Sequence, residues 1–274
     1  MSVLCTFPGR FGDALWSLPT CRALAEAYDE PIDFAISGKY GSLKDLIEAQ
    51  PYINRCRVIP TWDVQETAPM SPRCPPFAFD DYDEHRYHLG YEGWPAEPLP
   101  FECLRIANDM RRAYSLPPVT IHLKRPWIQA VPWQTVQELV IGFSDEWFEL
   151  KYGIYRLVAR QAQYDYQKGT FIICPPQSRW HVEGQIEPSD WLHAVRRIAA
   201  CEVFLGCCSA LHVLAVAMGK TVVVMEPNTQ RHHDIFYPLG KTGRVQLVLG
   251  GDGLPTFDSR HCADAVQEAL RAIA

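Results

Sequence analysis

The chain has 274 residues, 47% of them apolar and 21% charged, with a formal charge of −6. This balance allows a well-packed core and excludes a disordered protein, and the acidic sum disfavours a broad surface for nucleic acid or anionic lipid. Ten cysteines follow a start that is already strand-like, with Arg10 close behind, so a soluble, reduced cytoplasmic protein is expected, and no apolar run reaches the ~18–20 residues that span a bilayer.

Ser2 to Phe7 reads as a buried strand, and Pro8-Gly9-Arg10-Phe11-Gly12-Asp13 as a tight loop in which glycine permits close backbone approach. A helix is predicted from about Ala14. Leu15, Leu18, Leu24 and Ala27 recur at helical spacings, and Pro19 is expected to kink or split the helix. Ile32 to Ser37 is the next strand, Ser42 to Ala49 a short helix and Arg57 to Pro60 a third strand. Such alternation implies a parallel sheet.

From Thr61 to Pro100 the alternation fails. Prolines are interleaved there with Trp62, Phe77, Phe79, Tyr82, Tyr87, Tyr91 and Trp94. This irregular insert either packs over the sheet or offers its rings to sugars or bases. Phe101 to Tyr114 returns to a helix that Pro117-Pro118 stops, and the aperiodic segment His122 to Trp133 marks a domain boundary. Two domains are expected, 1–130 and 131–274.

The second half repeats the logic of the first. Glu138 to Phe143 and Thr170 to Cys174 read as strands, Tyr152 to Ala162 as a helix, and Pro188 to Ala200 as a helix capped near Ser189-Asp190. The stretch from Cys201 to Pro227 follows. An apolar run ends at Gly206, a helical pattern spans Ala210 to Met218, and a second apolar run fills Thr221 to Met225. This strand–turn–helix–strand unit opens a helix N-terminus at Ser209, where free N–H groups and the helix dipole suit a phosphate. Val245 to Leu249 is a final strand and Cys262 to Ala274 a terminal helix, placed to pack back on the first domain.

Two of these turns, taken together, resemble known signatures. Phe11-Gly12-Asp13-Ala-Leu-Trp-Ser-Leu-Pro19 after a strand resembles the N-terminal motif of the heptosyltransferase family, glycosyltransferase family 9. The turn Gly206 to Ser209, with Gly219-Lys220 after the helix, is similar to that family's second motif. The resemblance implies an α/β protein of the GT-B architecture, two Rossmann-like domains with parallel sheets facing a cleft. The N-terminal domain would bind the acceptor and the C-terminal one the nucleotide-sugar donor.

By the same resemblance Asp13 is the general base that deprotonates an acceptor hydroxyl, and Arg10, Phe11 and Gly12 line the acceptor side. A carboxylate on such a turn also caps helices, so a purely structural Asp13 is the plain alternative. Gly206, Cys208, Ser209, Ala210 and His212 form the donor turn, with Lys151, Glu226, Arg231 and His232 as further donor contacts: cations for the diphosphate, a carboxylate for ribose hydroxyls. The second motif departs from the family pattern. Cys208 stands where Asp is usual, Ala210 where Gly is usual, and His212 comes one residue early.

The expected reaction is inverting transfer of a sugar from a nucleotide-diphospho-sugar to a hydroxyl, without a metal or other cofactor. The acceptor is a carbohydrate, a glycolipid or a nucleic acid. A hydroxylated DNA base is the nucleic-acid version, for which Arg55, Arg57, Arg111, Arg112, Lys124 and Arg125 would have to form the basic surface. A non-catalytic nucleotide-binding protein of the same shape is the other alternative, motivated by Cys208 and Ala210. Zinc at Cys201, Cys207, Cys208 and His212 is disfavoured by the ligand spacing, and a Cys208 nucleophile by the lack of an assignable His-Asp pair.

Overall fold

A computed structural model describes residues 3–62, 79, 85–91, 95–130, 137–142, 170–174, 186–188, 191–207, 209–225, 238 and 246–249. The chain divides into two compact units, Met1–Trp127 and Ile128–Ala274.

In the first unit the described strands are β1 (Val3–Phe7), β2 (Ile32–Ser37), β3 (Ile53–Ile59) and β4 (His85–His88). They form a parallel sheet in the order β3-β2-β1-β4. β4 lies inside the stretch expected to be irregular, pairing Thr6 with His88 at the sheet edge. Its residues, His-Arg-Tyr-His, carry no apolar run, so the pairing comes from the sheet and not from local propensity. Of the insert's rings, Trp62, Phe79, Tyr87 and Tyr91 are buried in the unit. They are core, and are not displayed to a ligand as bare platforms; Phe77, Tyr82 and Trp94 lie outside the described residues.

The first helix, α1, runs Phe11–Tyr28 as one piece through Pro19. Proline lacks the N–H that would bond the carbonyl four residues back. That carbonyl, Leu15 O, instead accepts from the indole Nε1–H of Trp127 at 3.2 Å. The ring of Trp127 lies 5.4 Å from that of Trp16, both fully buried. Tyr52 Oη donates to the Trp127 carbonyl at 2.6 Å, and Arg22 Nη1 to the Pro126 carbonyl at 2.8 Å. The last residues of the unit therefore complete the helix that proline leaves short.

After β2 a 3-10 turn, Gly38–Leu43, leads into α2 (Lys44–Glu48). The helix α3 (Leu99–Ala113) opens with Pro100 in its first turn and packs on α1. Lys44 Nζ meets the Glu48 carboxylate at 2.6 Å across one turn of α2. The buried Asp33 carboxylate is held by Arg55 and by Asn54 Nδ2.

In the second unit the described strands are β5 (Gln137–Gly142), β6 (Thr170–Cys174), β7 (Ile186–Pro188), β8 (Cys201–Cys207), β9 (Thr221–Met225) and β10 (Gln246–Leu249). All pair in parallel, in the order β10-β9-β8-β5-β6-β7. Pro188 ends a strand here, and α4 begins only at Trp191, running to Ala199. α5 (Ala210–Ala217) is buried from Leu211 onward, and Val222 to Val224 of β9 are fully buried. These near-continuous apolar runs are what strands covered on both faces require. The expected helices at 152–162 and 262–274 lie outside the described residues.

A methyl added at Gly38 would stand 2.8 Å from the Pro60 Cα, a backbone atom with no room to yield. Gly38→Ala is expected to lower stability by roughly 1–3 kcal/mol, seen as a lower urea midpoint at unchanged slope; a wild-type midpoint would show that the turn yields easily.

Candidate functional site

Ligands of open parallel sheets gather at the carboxyl ends of strands. In the first unit that end carries Thr6 and Phe7, Ser37, His88 and the chain that follows each strand. The helix after β1 begins at Phe11, three residues before the expected start at Ala14, with Arg10 as N-cap residue. Asp13 is thus inside the first turn and is not the cap. The Ala14 N–H bonds the Arg10 carbonyl at 2.9 Å, and Arg10 makes no side-chain cap. A first-turn carboxylate lies at the positive end of the helix dipole, which favours its charge.

Asp13 is 8% exposed. Its Oδ2 accepts a hydrogen bond from Tyr91 Oη at 3.1 Å. Burial pushes the Tyr91 phenol well above its usual range, and the Asp13 charge adds to the rise, so the phenol stays protonated as a donor. Cys103 on α3 stands nearby, its Sγ donating to the Leu89 carbonyl at 3.7 Å. Burial raises that thiol well above its ordinary value, and the Asp13 charge adds to the rise. Phe7 packs its ring 6.2 Å from Tyr91. Thr6 Oγ1 and His88 Nδ1 lie 2.8 Å apart at the same strand ends.

The expected acceptor-side residues share this corner. Arg10 is exposed, while Phe11 and Gly12 are half-buried. The Phe11 ring meets Tyr40 edge-on at 4.9 Å, joining the turn after β1 to the turn after β2, and Trp62 packs in the same cluster. Tyr91 had no local signal as a site residue. It was one ring among many in a proline-rich stretch, and its role depends on β4 bringing it beside β1.

In the second unit β8 leads into α5. Gly206 is buried and pairs with Gly142 on one side and Val224 on the other. Ser209 is the N-cap, with φ −158° and ψ 172°, and its Oγ accepts from the His212 N–H at 3.4 Å. The first intrahelical bond is Val213 N–H to Ser209 O at 3.1 Å, so the N–H groups of Ala210 and Leu211 precede the ladder. His212 is fully buried: its N–H serves the cap, and its ring lies inside the unit.

Gly219, φ 72°, ends α5 with the left-handed residue typical of helix C-termini. Lys220 then turns its Nζ to the Ala199 carbonyl at 2.6 Å, so both residues of that second signature are structural here. Lys151, Cys208, Glu226, Arg231 and His232 lie outside the described residues. Among the described residues no group of three His, Cys, Asp or Glu side chains is placed to hold a metal ion, and no helix is long and apolar enough to cross a membrane.

No family model matches the chain, and no curated protein matches it in sequence. Solved structures do match. A family 9 glycosyl transferase from Veillonella parvula DSM 2008 aligns with a TM-score of 0.65 at 12% identity, over 99% of this chain and 97% of that one. The ADP-heptose LPS heptosyltransferase II of E. coli gives 0.65 at 15% identity, over 100% and 99%. The E. coli heptosyltransferase WaaC, solved with ADP-2-deoxy-2-fluoro heptose, gives 0.56 at 13% identity over the whole of both chains. The chain has the GT-B glycosyltransferase fold. Similarity at this identity shows the fold alone, and the chemistry has to be argued from the residues.

Of the basic residues that a DNA surface would need, Lys124 is exposed, and Arg55, Arg112 and Arg125 keep more than half of their side chains exposed while each meets a carboxylate, that of Asp33, Asp109 and Glu26 respectively. Arg111 is 3% exposed, with its guanidinium over the Tyr28 ring, and Arg57 lies over Phe79.

Removing the α5 cap with Ser209→Ala is expected to cost about 1 kcal/mol of local stability. Hydrogen exchange at the His212 amide would then speed up roughly fivefold; an unchanged rate would mean that the hydroxyl does not hold the turn.

Proposed function

We propose that the protein is an inverting, metal-independent glycosyltransferase moving a sugar from a nucleotide-diphospho-sugar to an acceptor hydroxyl. The observation that carries this reading is Asp13, a carboxylate in the first helical turn at the carboxyl end of β1, in a chain sharing the fold of family 9 transferases over nearly its full length. Asp13 takes the acceptor proton as the hydroxyl oxygen bonds the anomeric carbon. The bond from that carbon to the diphosphate breaks, and the diphosphate leaves with the electron pair. One direct displacement inverts the configuration.

Arg10, Phe11 and Gly12 flank the acceptor in this scheme. The donor belongs to the second unit, where the turn from Gly206 through Cys208, Ser209 and Ala210 offers first-turn N–H groups to the diphosphate. The His212 N–H holds the Ser209 hydroxyl and so fixes the turn that carries those groups. Lys151, Arg231 and His232 supply positive charge to the leaving group, and Glu226 accepts from ribose hydroxyls. WaaC was solved with an ADP-sugar analogue, which makes ADP-sugars the first donors to try. A cytoplasmic setting is in keeping with the free thiols Cys5, Cys21, Cys56, Cys103 and Cys201. The formal charge of −6 favours a carbohydrate or glycolipid acceptor over a DNA base.

Asp13→Asn removes the base and keeps the side chain's shape. Transfer is expected to fall by roughly 10²–10⁴-fold, with donor affinity nearly unchanged in calorimetry. Full turnover in this variant would take Asp13 out of the chemistry, and a wild-type protein that binds donor without transferring would favour the non-catalytic alternative.

A further inference from the structure

We propose that Tyr91 is a positioning residue for Asp13, holding its carboxylate ionised and oriented by donating to Oδ2. The proposal rests on the reading of Asp13 as the base. A base must be unprotonated to act, and a donor aimed at a carboxylate stabilises the ionised form over the neutral one. The bond is longer than ideal at 3.1 Å but shielded, because Tyr91 is 5% exposed and Asp13 8%. Bulk water does not compete for it.

The phenol is suited to this task. Burial and the adjacent carboxylate both keep its proton on, so it neither takes the acceptor proton nor shares the charge. Its ring and the chain leading to it make contacts that do not involve Asp13. Phe7 packs against it at 6.2 Å, the Leu89 N–H bonds the Thr6 carbonyl at 2.9 Å, and Cys103 donates to the Leu89 carbonyl. The chain just after β4 is thus tied to β1 and α3 at Leu89, two residues before Tyr91, and the Phe7 contact does not depend on the hydroxyl.

Among the described residues, charged or titratable groups near the pair come from the turn after β1 and from α3. Arg10, from the turn after β1, acts on Tyr91 by its charge. Cys103, from α3, stays a neutral thiol. Glu102, beside it, is buried and has its carboxylate taken by Arg105. Arg10 is exposed and solvated, which weakens its influence. Tyr91 contributes a direct, buried hydrogen bond.

The test is the titration of the Asp13 carboxyl carbon by NMR in the full chain labelled at aspartate, with Asp13→Asn identifying the signal. In Tyr91→Phe the midpoint is expected to move to higher pH, by on the order of tenfold in proton affinity. A purely structural Tyr91 would lower the melting temperature and leave the midpoint in place, and that result overturns the proposal. If Tyr91→Phe does not fold, a fluorotyrosine at position 91 keeps the ring and makes a stronger donor. The midpoint should then move to lower pH, and an unmoved one overturns the proposal equally. Turnover by Asp13→Asn separates the two ideas: activity there sinks the base reading, whereas an unmoved midpoint sinks only the role given to Tyr91.

Discussion

A carboxylate removed from water has to be answered by the fold around it, and in the first unit Asp13 is that carboxylate. Two parts of the fold supply such an answer. The first turn of α1 presents the positive end of the helix dipole, and Tyr91 presents a phenolic hydrogen. The second requires β4 to lie beside β1, and α3 to hold the chain after β4 through Cys103. One buried side chain thus ties together a helix start, a sheet edge and a helix that lies far along the sequence.

The same unit resolves a second conflict through packing. Pro19 deprives Leu15 of a helical partner, yet α1 runs on because the Trp127 indole takes the vacant place. Trp127 is in turn held by Tyr52 at its carbonyl and by Trp16 at its ring face. A residue more than a hundred positions away repairs a local defect. The helix carrying Asp13 therefore gains its continuity from tertiary structure, not from propensity.

Continuous apolar runs bounded by turn residues made β1, β2, β6, β9 and α5 legible from sequence. The turn at Ser209 was legible because a serine before an apolar helical pattern has a specific capping chemistry, which its bond to the His212 N–H bears out. What could not be read had no local cause. β4 is polar and exists by pairing; α1 starts at Phe11 because Arg10 accepts the first bond; the expected split at Pro19 does not occur because Trp127 fills the gap. At the site, Asp13 was legible through its Gly-Asp turn, whereas Tyr91 was hidden among the aromatic residues of a proline-rich stretch. His212, expected at the donor, has its ring in the core of the second unit because an all-apolar helix buries every face.

The second unit contributes a parallel sheet and a capped helix start after β8, a setting suited to a diphosphate. Whether that seat takes a nucleotide sugar is the point on which the transferase account stands. Thermal unfolding of the whole protein with millimolar ADP-, UDP- and GDP-sugars, and with the matching nucleoside diphosphates, tests it most directly. The account predicts that one nucleotide class raises the melting temperature by several degrees, as ~2.7 kcal/mol of ligand stabilisation at 100-fold the Kd would. A flat response to every one of them would contradict it.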